Sequence, residues 1–71
     1  MRTYEHAGAA LQRLLDARGL TPAALAAATG IDAGVLRRIL SGRQKSISTR
    51  NLVNFSRFFG LSLMELIDLF S

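Results

Sequence analysis

The stretch TPAALAAATGIDAGVLRRILSG, from Thr21 to Gly42, constrains the fold more than any other part of the chain. Thr21 is a good helix N-cap, and Pro22 suits the first helical position, where a missing N–H does no harm. Leu25 and Ala26 turn one apolar face inward. Gly30 ends this short helix and permits the left-handed turn that a sharp corner needs. Ile31 plugs the corner. Asp32 caps a second helix, in which Leu36, Ile39 and Leu40 recur at helical spacing, and Gly42 closes it. Two short helices joined so tightly must cross at a steep angle, and Ala26 is small where the second has to pass the first.

That is helix-turn-helix geometry, whose usual work is to lay the second helix in a DNA major groove. Charge supports the reading. The net charge is +4. Up to Asp32, the cations Arg2, Arg13 and Arg18 balance Glu5, Asp16 and Asp32. From Ala33 to Met64 stand Arg37, Arg38, Arg43, Lys45, Arg50 and Arg57, with no acid among them; Glu65 and Asp68 follow. A basic excess that begins inside the second helix of the motif favours a polyanionic partner over a merely solvated surface.

The remaining composition sets bounds. With 71 residues the chain is one domain, residues 1–71. A domain of this size buries only about 60% of its unfolded surface, so close helix packing or a partner has to help. It contains no cysteine, hence no disulfide framework and no thiolate metal site. No apolar run approaches the roughly 18 residues that span a membrane. The opening MRTYEHAG has no apolar core of a secretory signal. A cytoplasmic protein is expected.

Taken in order, the pattern predicts a first helix from Tyr4 to Arg18, capped by Thr3, with Tyr4, Ala7, Leu11, Leu14, Leu15 and Arg18 on one stripe. Gly8 inside it costs up to about 1 kcal/mol relative to alanine unless another helix packs closely there. Gly19 ends the helix and Leu20 packs back. The second helix spans Pro22 to Thr29 and the third Ala33 to Ser41. The loop GRQKSIS is polar and basic, without a strand pattern. Ser48 caps a fourth helix running to Phe59, with Leu52, Phe55, Ser56 and Phe59 inward. After Gly60 and Leu61, Ser62 caps a fifth, with Leu63, Leu66, Ile67 and Phe70 on one face. No segment alternates like a strand, so the expected class is all-α with five helices.

Together these residues resemble the phage-repressor helix-turn-helix family, the lambda-repressor and Cro type also called XRE-like. The resemblance runs from Leu11 to Leu66. It is carried by Arg18-Gly19-Leu20-Thr21, Leu25-Ala26, Gly30-Ile31, Leu36, Ile39, Ser41-Gly42-Arg43, Leu52, Phe59-Gly60-Leu61-Ser62-Leu63 and Glu65-Leu66. It implies a five-helix lambda-repressor-like DNA-binding domain with the helix-turn-helix at helices two and three. It also implies a transcriptional regulator, a repressor, whose partner is double-stranded DNA. Three positions depart from the family pattern. Pro22 stands where glutamine is frequent at the start of helix two. Ala33 and Gly34 stand where polar base readers are frequent at the start of helix three. Leu15 and Leu40 occupy positions that form a buried arginine–glutamate pair in some members.

By family position, Ala33, Gly34, Arg37 and Arg38 face the bases. Arginine bidentate to guanine is the commonest specific contact, whereas Ala33 offers only a methyl and Gly34 only close backbone approach, which leaves more to DNA shape. Thr21, Arg43, Lys45, Ser46 and Ser48 are placed to grip phosphates, in keeping with hydroxyls, mobile cations and free N–H groups at helix N-termini. Thr21 and Ser48 serve equally as plain caps. A homodimer is expected through Phe58, Met64, Leu69 and Phe70, because helix five carries more apolar residues than one face needs. His6, the single histidine, has no partner in metal spacing, and no catalytic constellation stands out: no enzyme, metal, cofactor or small-molecule substrate is expected. The alternative reading is a protein-interaction module, antitoxin-like or polymerase-associated, with weak or no base reading.

Overall fold

Side-chain caps set the register of four of the five helices. In the computed structural model, which describes residues 2–71, the elements in order are β1 (Arg2–Thr3), α1 (Ala7–Arg18), α2 (Pro22–Thr29), α3 (Ala33–Leu40), β2 (Ser46–Ile47), α4 (Thr49–Phe59) and α5 (Leu63–Phe70). The Thr21 hydroxyl accepts from the Ala24 N–H, the Asp32 carboxylate from Val35 and the Ser48 hydroxyl from Asn51. Ser62 and Glu65 form a reciprocal capping box, which satisfies two otherwise orphaned donors. Gly30 takes the left-handed conformation, φ 74°, at the α2–α3 corner, and Ile31 is buried beneath it. The class is all-α, as expected, and helix three ends one residue earlier than predicted, with Ser41 as its C-cap.

One apolar cluster unites the helices. Leu11 and Leu15 of α1, Leu25 of α2, Leu36 and Ile39 of α3, Phe55 of α4 and Leu66 and Phe70 of α5 are all fully buried. Phe70 meets Tyr4 and Phe55 edge-on, with ring centroids 6.4 and 6.1 Å apart. Leu40 joins the cluster half-buried. Polar ties fix the periphery. Asn54 on α4 donates its amide to the Thr29 carbonyl at 2.9 Å and so anchors the α2–α3 corner. Arg18, counted above on the inner stripe, is exposed. Its guanidinium lies 5.2 Å from the Phe59 ring centroid and donates to the Phe59 carbonyl at 2.7 Å, serving the C-terminus of α4.

Four expectations need correction. The first helix starts at Ala7, not Tyr4, and Thr3 does not cap it; His6 holds the N-cap position without a side-chain bond. Residues 2 and 3 instead pair antiparallel with β2, Arg2 opposite Ile47 and Thr3 opposite Ser46, and the Tyr4 N–H donates to the Lys45 carbonyl at 2.8 Å. That same pairing overturns the absence of strands: two residues are too short to show alternation, and the backbone bonds come from a segment more than 40 residues away. Leu63 is 38% exposed rather than inward, because α5 meets the core through Leu66, Ile67 and Phe70, and Leu61 packs the corner before it. Phe70, expected at a dimer surface, is fully buried; its ring completes the aromatic cluster, and its carbonyl accepts from the His6 N–H at 2.9 Å.

Gly8 supplies the close packing that its cost in helix propensity foreshadowed. A Cβ there would stand 2.5 Å from the Ile39 carbonyl oxygen and 3.1 Å from that of Leu40. The last turn of α3 therefore rests directly on α1. Gly8→Ala gains helix propensity but forces these backbones apart. A net loss of about 1–2 kcal/mol is expected in urea unfolding, because overpacking outweighs propensity. A gain in stability would show that α3 lifts from α1 without cost.

Candidate nucleic-acid interface

With Leu36 and Ile39 turned fully inward, the outer face of α3 presents Arg37 and Arg38, both exposed. These two, with Gly34, Ser41 and Arg43, line one shallow open groove. Four of the residues singled out in the sequence thus meet on one surface. Ala33 is half-buried in the first turn of α3 and does not line the groove; nor do Thr21, Lys45, Ser46 and Ser48. Thr21 and Ser48 stand at the N-termini of α2 and α4, where their hydroxyls act as caps. Ser46 is half-buried in β2.

The loop between α3 and α4 is held rather than loose. The Gln44 N–H donates to the Arg38 carbonyl at 3.0 Å, and the Ser41 hydroxyl donates to the same carbonyl at 3.1 Å. The Arg38 Nε–H donates to the Gln44 side-chain oxygen at 3.2 Å, while the Gln44 amide donates to the Ser46 carbonyl at 3.0 Å. Lys45 pairs with Glu5, Nζ to Oε2 at 2.9 Å. The hydrogen bond from Lys45, and then its charge, hold the Glu5 carboxyl below the usual carboxylate range. Sequence reasoning missed both Gln44 and Glu5. An amide that can donate and accept, set in a loop of cations, was a faint signal for Gln44. Nothing local pointed to Glu5, which lies 40 positions from its partner.

Comparison with family models matches residues 10–70 to the Cro/C1-type HTH DNA-binding domain. The chain belongs to this family. Its helix-turn-helix is thus that of a DNA-binding domain. Among solved structures, it is similar to the restriction-modification controller protein C.AhdI from Aeromonas hydrophila, with a TM-score of 0.76 and 24% identity over 87% of this chain and 92% of that one. That likeness speaks for the fold. Comparison with curated proteins gives no match. No helix among the described residues is long and apolar enough to cross a membrane.

The Glu5–Lys45 pair gives a pH signature. Because the folded carboxyl is depressed, its contribution to stability is present above the ordinary value of 4.5 and is lost as the pH falls through the depressed one. The melting-temperature difference between the parent and Glu5→Gln should therefore be positive at neutral pH and close in acid. At pH 7 the same substitution releases Lys45, and the salt dependence of DNA affinity should steepen by up to about one phosphate equivalent. An unchanged slope would mean that Lys45 lies away from the nucleic acid.

Proposed function

We propose that this protein is a transcriptional regulator, a repressor, that lays α3 in the major groove, reads bases with Arg37 and Arg38, and grips the flanking phosphates with Thr21, Arg43, Lys45, Ser46 and Ser48. One observation carries the reading: Arg37, Arg38 and Arg43 converge on a single open groove on the outer face of α3. Arginine forks suit guanine edges, and the N–H groups at the starts of α2 and α4 suit phosphate oxygens. Ala33 and Gly34 bring backbone and methyl close to the bases without hydrogen-bonding side chains, so local DNA shape supplies part of the selectivity. It acts as a binding protein rather than an enzyme, and work on DNA supports a cytoplasmic location.

Two copies act together in this reading. Met64 is 69% and Leu69 48% exposed, and Leu63 joins them on the surface of α5. Phe58, at the end of α4, is half-buried and edge-on to Phe59, with ring centroids 5.1 Å apart. Phe58, Leu63, Met64 and Leu69 would form a self-complementary patch, with Leu63 taking the part first given to Phe70. A two-fold pair reads half-sites about 34 Å apart and adds their energies.

Selection from a random duplex pool should yield a bipartite operator. Arg38→Ala should cost about 1–3 kcal/mol on that operator and relax one or two base pairs, whereas Arg43→Ala should weaken all sequences alike. If no duplex is selected even at low salt, the interaction-module reading replaces this one. Sedimentation equilibrium at tens of micromolar, a range suited to a modest interface of about 1,200 Å², should show a dimer that Leu69→Glu converts to a folded monomer. A parent that sediments as a monomer and protects a single half-site would overturn the dimer.

A further inference from the structure

Arg38 does not stand free in the groove. Its Nε–H is taken by Gln44 at 3.2 Å, and its Nη1 lies 3.5 Å from where a Cβ on Gly34 would stand, one turn back along α3. Gln44 is itself fixed at two further points. Its backbone N–H binds the Arg38 carbonyl, and its side-chain amide binds the Ser46 carbonyl at 3.0 Å. Ser46 sits opposite Thr3 in the strand pair. The same short strand that pairs with the N-terminal residues therefore also holds Gln44, and through it the Arg38 guanidinium that lines the groove.

The geometry points to Gln44 as a positioning residue that sets how Arg38 reads a base. This rests on the proposed role of Arg38 as a base reader. Arginine has five N–H donors in a rigid fork. With Nε–H engaged by Gln44, the side-on pair of Nε and Nη2 is unavailable, and the end-on pair of Nη1 and Nη2 remains for a guanine edge. Gln44 also restricts the rotamers of a long side chain before DNA arrives. Less ordering is then left to pay on binding, and the preference is for one register of the fork. Gln44 needs no contact with DNA to do this.

The test separates this proposal from the reading beneath it. Base preference is measured by competition between the selected operator and variants at each position, using the parent, Arg38→Ala, Gln44→Met and the double substitution. Gln44→Met keeps the length of the side chain and removes its hydrogen bonds. Arg38→Ala is expected to lower preference at its base pair by roughly five- to 150-fold. Gln44→Met is expected to lower preference at that same pair by roughly three- to tenfold, with affinity for random duplex and melting temperature nearly unchanged. In the Arg38→Ala background, Gln44→Met should change nothing further. Nitrogen-15 spectra of the free protein supply a readout independent of DNA: the Arg38 Nε–H should exchange slowly with water in the parent and rapidly in Gln44→Met. If Arg38→Ala leaves every base preference intact, the reading of Arg38 fails, and the positioning role with it. If Arg38→Ala acts while Gln44→Met leaves the preference unchanged, or acts equally without Arg38, the positioning role alone fails. Fast Nε–H exchange in the parent would also overturn it.

Discussion

The close contact between α1 and the last turn of α3 is the constraint on which the rest of the molecule depends. At Gly8 there is no side chain between the two backbones, and the Ile39 and Leu40 carbonyls take that space. A helix of eight residues has little stability of its own. It is held by Leu36 and Ile39 in the core and by this backbone contact. Because α3 is pinned on the side of Gly8, its opposite side must face outward, and that side carries Arg37 and Arg38. The orientation of the groove is thus a consequence of how α1 is built.

A second layer of control comes from the N-terminal residues. In a purely helical chain the α3–α4 loop would be tethered only at its ends. Here Arg2 and Thr3 pair with Ser46 and Ile47, Tyr4 binds the Lys45 carbonyl, and Ile47 is buried in the core. Loops braced in this way lose less entropy when they meet a ligand. The ion pair of Glu5 with Lys45 adds a directional tie, although exposed pairs of this kind contribute little stability. Its larger effect is on charge: it lowers the net positive field of the loop beside Arg43.

Most of the helical framework was legible because it is written in local chemistry. Thr21-Pro22, Asp32, Ser48 and Ser62 announce helix starts through bonds that span three residues, and the structure contains each of these caps. The Leu36–Ile39 stripe and the Phe55–Phe59 stripe follow from helical period. What failed was non-local. The strand pair joins segments far apart in sequence, and neither half has a pattern of its own. Phe70 and Leu63 lie on the same predicted face, one turn from Leu66 on either side. Which of them is buried depends on where Tyr4 and Phe55 stand, and that is decided by tertiary packing. At the groove, Arg37, Arg38 and Arg43 were found through charge and family position. The amide of Gln44 went unnoticed, because its partners are set by the course of the loop.

The placement of charge along the helix-turn-helix explains why this bracing matters in the proposed reading. The helix α2, PAALAAAT, has no charged side chain, so it offers a partner only its N-terminal N–H groups and the Thr21 hydroxyl. The first turn of α3 is Ala33-Gly34-Val35, capped by an acid, and both arginines lie in its last turn. Cations there complement the helix dipole. A recognition helix that reads mainly with its first turn can tolerate a mobile loop behind it. This helix instead has its forks at the far end, next to Ser41, Arg43 and Gln44. Arg37 and Arg38, which would read bases, therefore share one short piece of backbone with Arg43, Lys45, Ser46 and Ser48, which with Thr21 on α2 would grip phosphates, and bracing that backbone from the N-terminal strand steadies both sets at once.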